Sequence, residues 1–299
     1  MSENEGIPSE RPDADSQTAS KKKRTALIAA AIAVAVAVVA GGAYWYADYQ
    51  VPHQQAVDAF NVACDGLESR TAKVDEAIAE IQELQAGDDK PLDESVDVAA
   101  SNAIGQAQAA KVSAPEMPDG TNEINAAAAE IDGMGDYADT LASLASAKRA
   151  LQDSIAQLKQ VTNPSEAFVI DRITGLPNIT GIEAVTEMND PNGNLNKAGG
   201  YTAAVYFSSD LVDQSEVYPS EGYTGIVAMG TDGGGCIEVY ATAEDATKRS
   251  DYLATFDGSI LSSGSHEVLG TCVVRTSNLL TASQQQGMSQ EIQDALIRL

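Results

Sequence analysis

TALIAAAIAVAVAVVAGGAYWY, residues 25–46, is an unbroken run of 22 residues without a charged side chain. As a helix it is long enough to cross a hydrocarbon layer of about 30 Å. Lys21, Lys22, Lys23 and Arg24 stand directly before it. Basic residues stay on the cytoplasmic side of a bilayer. The pattern therefore predicts a cytoplasmic N-terminus, with everything after the run outside the cell. Tyr44, Trp45, Tyr46 and Tyr49 close the run. Rings with one polar edge sit best at a membrane–water interface. The rival reading is a cleaved signal peptide, with Gly41 and Ala43 as small residues at the cleavage point. The apolar run exceeds a signal core of roughly 7–15 residues, and an aromatic belt has no role in a peptide that is removed.

On the N-terminal side, residues 1–24 read as a short, disordered cytoplasmic tail. On the other side the charge changes character. Of 44 acids and 18 bases, five of each fall in residues 1–24 and none in 25–46. The rest of the chain thus carries the whole net charge of −26. Such a surface repels nucleic acid, which is excluded as a partner, and it attracts cations or basic partners. It also keeps a surface protein soluble.

Residues 48–162 read as an extracytoplasmic helical stalk. Val57, Phe60, Cys64, Leu67, Thr71, Val74, Ile78 and Ile81 alternate by three and four, the seam of a coiled coil or slim bundle. A second helical pattern runs from Thr121 to Val161, with a one-residue slip in its seam near Leu144. An alanine-rich third helix is expected over Ser95–Lys111. The seam serves either an intrachain bundle or a homo-oligomer.

Residues 163–299 read as an α+β module. Asn163 and Pro164 predict the cap and first position of a short helix. Strands are expected over 182–187, 201–208, 224–229, 236–242 and 267–276, and helices over 243–256 and after Thr281. Strand, helix and strand over 236–276 predict a parallel βαβ unit. The whole is then a mixed sheet with helices on one side, ferredoxin-like in outline.

Four features of the module bear on chemistry. Asp190, Asn192, Asn194 and Asn196 place oxygens at alternate positions, a spacing that suits a hard cation such as calcium. The same Asn-Gly segment also suits a polar turn. Gly230–Gly235 lacks the lysine and following helix of a phosphate loop and reads as a hairpin loop. Cys236 and Cys272, both on expected strands, are candidates for a disulfide, which leaves Cys64 over. His53 and His266 are the only histidines, and no nucleophile–base pair is evident from spacing.

The segments TGIEAVTEMNDPNGNLNKAGGYTAAVYFSSDLV, GTDGGGCIEVYATAEDATKRSDYLATFDG and GSHEVLGTCVVRTSNLLTASQQ resemble the C-terminal region of uncharacterised membrane-anchored surface proteins of actinobacteria, bifidobacteria above all. The resemblance covers about residues 164–299. It implies a plasma-membrane location and this architecture, and it brings no catalytic residues with it. The expectation is a non-enzymatic, single-pass cell-surface protein without a cofactor. Its module would bind or assemble at the cell wall or on a protein partner. The alternative is an extracytoplasmic ligand sensor or solute-binding module that acts through a membrane partner.

Overall fold

The computed structural model describes residues 14–220, 224–259 and 262–299, with side chains from Ala29 onward. Helix α1 (Ala14–Trp45) passes through a π-helical turn (Tyr46–Gln50) into α2 (Val51–Ala86). Lys21, Lys22, Lys23 and Arg24 lie on α1, and their side chains fall outside the described residues. Among the described residues one helix is long and apolar enough to cross a membrane, and none of its apolar window is buried. Val39 is 72% exposed and Trp45 55%. Trp45, Tyr49 and His53 stack one turn apart, with ring centroids 6.0 and 5.7 Å apart.

The chain divides into two compact units, and the division does not fall at 162/163. One unit joins the chain up to Lys73 to residues 111–137. Here α2 packs along α4 (Thr121–Gly133): Phe60, Ala63 and Leu67 meet Ile124, Ala128 and Ile131. The seam that could have served a second copy is therefore covered within the chain over this stretch. The expected 121–161 helix is broken. Gly135 takes φ +67°, and the Ile131 carbonyl accepts from Met134 N–H and from the Arg70 guanidinium. Helix α5 (Ala138–Gln160) begins after this break, and Leu144, near which the sequence pattern slips, lies inside it.

The other unit holds Val74–Ala110 and Ala138–Leu299. Helix α3 (Ser95–Ala110) runs against the end of α2, with Gln85 donating to Asp97 and Ser101. Helix α5 runs in the same sense as α2, since Glu80 pairs with Lys148 and Asp89 with Lys159. The end of α5 ties directly to the α+β part, where Thr271 N–H donates to the Val161 carbonyl at 2.9 Å. This join is why compactness does not divide at the stalk–module boundary expected from composition.

The α+β part runs α6 (Glu166–Ile173), β1 (Ile179–Ala184), β2 (Tyr201–Ser209), β3 (Gly234–Tyr240), α7 (Ala243–Ala254), β4 (His266–Leu269), β5 (Cys272–Thr276) and α8 (Ala282–Ile297). The sheet order is β1-β2-β3-β5-β4, and every ladder is antiparallel. The mixed, ferredoxin-like sheet is corrected accordingly. Three strands precede the crossover helix, whereas a ferredoxin-like chain alternates β-α-β-β-α-β. The run 267–276 is not one strand but two. Gly270, at φ +60°, opens a two-residue turn between Leu269 and Cys272, a conformation that glycine adopts without a Cβ penalty. Strand β5 folds back between β3 and β4, so the strands joined by α7 are parallel but not adjacent.

Residues 224–229 do not form the expected strand. Val227–Gly233 holds 3-10 turns on either side of a kink at Gly230 (φ +62°), and the N–H groups of Ile226 and Val227 donate to the Glu183 carboxylate rather than to a ladder. Helices cover both faces of the sheet, not one. Helices α6 and α8 pack on Val205, Phe207, Ile237, Val239 and Val274. Helix α7 and the 3-10 turn pack on Ala204, Tyr206, Cys236, Tyr240 and Val273. The cap of α6 is Ser165, whose hydroxyl accepts from Phe168 N–H, while Asn163 turns to φ +46° and accepts from Thr202. The capping box at Thr281 and Gln284 stands as expected.

The alternation of β strands also corrects the disulfide. Cys272 lies opposite Val239, three positions from Cys236 on β3. An odd offset puts the two side chains on opposite faces. Cys236 packs under α7 and Cys272 under α8, and all three cysteines are free.

Candidate functional site

The charged centre of the molecule lies beneath α7. On β3, Cys236, Glu238 and Tyr240 alternate onto one face, and Val273 and Arg275 of β5 share it. Helix α7 lays Ala246, Arg249 and Leu253 on this face, three and four residues apart. Glu238 is fully buried. Arg249 grips its carboxylate with two bonds, Nε to Oε2 at 2.8 Å and Nη2 to Oε1 at 2.9 Å. Arg275 Nη1 donates to Oε1 at 2.7 Å, and the Tyr240 hydroxyl donates to Oε2 at 2.8 Å. Arg275 Nη2 reaches Ser263 Oγ, and Arg275 Nε is buried without a partner.

Burial pushes the Glu238 carboxyl up, but the Arg275 and Arg249 guanidiniums and the Tyr240 hydroxyl outweigh it. The net result holds Glu238 below its ordinary value. Burial also raises the Tyr206, Tyr240 and Cys236 groups above their usual ranges, so the phenols and the thiol stay protonated. Among the described residues this cluster is closed: Glu238 is 0% exposed and Arg275 6%. Its chemistry is that of a clasp. One carboxylate shared by two guanidiniums joins a helix to two strands.

Sequence reading missed this cluster. The signal was present in Glu238, which stands between Ile237 and Val239, and in Arg275, which follows Val273 and Val274. A charge inside a strand with apolar residues on both sides must be paired if both faces are covered.

Beside it, the Ser250 hydroxyl meets His266 Nδ1 at 2.8 Å, and His266 Nε2 lies 3.4 Å from Asp257 Oδ2. The residue types are those of a hydrolytic triad, which spacing had not revealed. The arrangement is inverted, because a triad presents Nε2 to the serine and Nδ1 to the carboxylate. Ser250 also sits inside α7, whose backbone N–H groups are committed to helical bonds and cannot form an oxyanion hole around it.

The Asp190 loop closes on its own carboxylate. Oδ1 accepts from Asn192 N–H and the Tyr201 hydroxyl, and Oδ2 accepts from Leu195 N–H. Burial raises the Asp190 carboxyl, but these bonds outweigh it and hold it below its ordinary value. Asn192, Asn194 and Asn196 are exposed, with Asn196 at φ +57°. Among the described residues no group of three or more His, Cys, Asp or Glu is placed to hold a metal ion. Gly230–Gly235 is not a hairpin loop. Gly230 is the kink between the 3-10 turns of Val227–Gly233, and Gly234 and Gly235 begin β3. A Cβ on Gly235 would stand 2.3 Å from the Phe207 ring, so glycine there lets β2 and β3 approach.

Comparison with family models, with curated proteins and with solved structures finds no match to this chain.

Proposed function

We propose that this chain is a single-pass plasma-membrane protein that presents its α+β module outside the cell for binding or assembly, not for catalysis. One observation carries the reading. The apolar face of α1 from Ile32 to Val39 is exposed on every side, and the stacked rings of Trp45, Tyr49 and His53 follow at its end. Apolar surface of that extent needs a cover, and lipid is the cover that length and belt both fit. Orientation follows from Lys21, Lys22, Lys23 and Arg24 on one side and from the net charge of −26 on the other. The non-catalytic role is supported by the closed Glu238 clasp and by the inverted Ser250–His266 pair.

Protease treatment of intact cells tests this. The result expected is loss of the region after Gln50 with retention of a membrane-bound N-terminal fragment. Full protection of residues 51–299 until the cells are broken would refute it.

A further inference from the structure

Two hollows follow one another along the line where α2 and α5 meet. The first, about 430 Å³, is lined by Ala77, Leu144, Ala145 and Gln152 among others. The second, about 300 Å³, shares Gln152 with the first, and the two together make one furrow. A third, about 280 Å³, opens instead against α3, where Pro91, Glu94, Asp97 and Val98 line it. Short alanines at 77, 145 and 156 leave space between the furrow's walls, above Leu144 and Ile155, which are buried within the chain. From Leu141 to Lys159 it runs roughly 27 Å at the rise of an α-helix.

The walls carry opposite charge. Glu80, Glu83 and Asp89 stand on the α2 side, and Lys148, Arg149 and Lys159 on the α5 side. Two ion pairs cross the furrow, Glu80–Lys148 at 2.9 Å and Asp89–Lys159. These pairs mark levels: at each level an acid faces a base across the gap. A two-fold axis running along the furrow keeps every level and exchanges the walls. The acidic wall of one copy then faces the basic wall of the other, level by level. A furrow with this charge pattern is complementary to itself in parallel association.

We propose that a second copy of this chain occupies the furrow, in a parallel two-fold dimer in which Glu80 of each copy faces Lys148 of the other. This interface differs from the α2 seam over Phe60–Leu67, which the chain covers itself. Two copies anchored in one membrane would meet in the same parallel order, at a raised effective concentration. The charge argument stands without the membrane, so the test is made without one.

The test is the mass of the full chain in detergent by light scattering, for the natural protein and for Glu80→Lys and Lys148→Glu. The natural chain is expected to dimerise. Each single reversal sets like charges across the interface and is expected to raise Kd by about tenfold or more. An equal mixture of the two is expected to dimerise again, because each lysine then meets a glutamate in the other chain. The double variant carrying both exchanges re-forms the pair within the chain and is expected to dimerise too, which separates loss of association from loss of fold. A monomeric natural chain, a dimer that both single reversals leave intact, or a mixture that stays monomeric would each overturn the proposal.

Discussion

Glu238 accepts four hydrogen bonds from three side chains and is the most consequential single residue of the module. Glu238→Ala leaves two guanidiniums buried without a counter-charge, and removing one partner of a buried pair costs about 3–5 kcal/mol. Denaturant unfolding of the variant checks this; a loss under about 1 kcal/mol would mean that water already reaches the site. The carboxyl is held below its ordinary value, so its contribution has a definite sign. The contribution is complete above the unfolded-state range of about 4–5 and is lost as pH falls through the lower folded value. Melting temperature should therefore fall more steeply below about pH 4 in the natural protein than in Glu238→Gln. The cysteines give a second check at this scale. Burial pushes Cys272 up to about 12 and raises Cys236 as well, while Cys64 is half-buried. A thiol reagent at mildly alkaline pH should modify Cys64 alone, and the other two only after unfolding. Three unreactive cysteines with a disulfide between 236 and 272 would contradict the strand register.

At the scale of elements, the sequence carried most of the helices and some of the strands, for different reasons. The spacing of Phe60, Leu67, Val74, Ile78 and Ile81 repeats over many turns, and α2 appears where it predicts. Thr281 with Gln284 is a local chemical signal, and it starts α8 where read. Short β segments carry no such redundancy. The Leu-Gly-Thr-Cys segment at 269–272 does contain the glycine that a two-residue turn demands, but the apolar run around it reads as one strand. The 224–229 segment has β-branched composition, yet its N–H groups go to Glu183, a partner 43 residues away for Ile226. No local pattern announces that. The turn is testable: Gly270→Ala places a Cβ at φ +60° and within 2.6 Å of the Val161 carbonyl oxygen. A loss of about 1–2 kcal/mol or more is expected in thermal or denaturant melts. A neutral outcome would mean that β4 and β5 are joined some other way. The clasp was half legible: Glu238 and Arg275 stand out as charges inside apolar strands, but their partners do not. Glu238, Arg249 and Arg275 come from three elements, and only the fold shows that they meet.

At the scale of the molecule, an apolar helix, an aromatic ladder and a strongly acidic remainder point to an anchored protein. On the proposed topology, the chemistry of the cytoplasmic tail, the bilayer and the exterior is divided along the chain in that order. The α+β module adds a sheet covered on both faces, with its charges paired and its thiols buried. Its central charge cluster is closed among the described residues, which supports the proposed presenting role. The furrow between α2 and α5 is the proposed means by which two copies pair. The claim on which all of this depends is the topology. The most direct measurement is labelling by a membrane-impermeant thiol reagent in intact cells, using single cysteines at Ser9 and at the exposed Asn192. The account predicts that the cysteine at 192 is labelled at once and the one at 9 only after the membrane is permeabilised. Labelling at 9 in intact cells, with 192 protected, would contradict it.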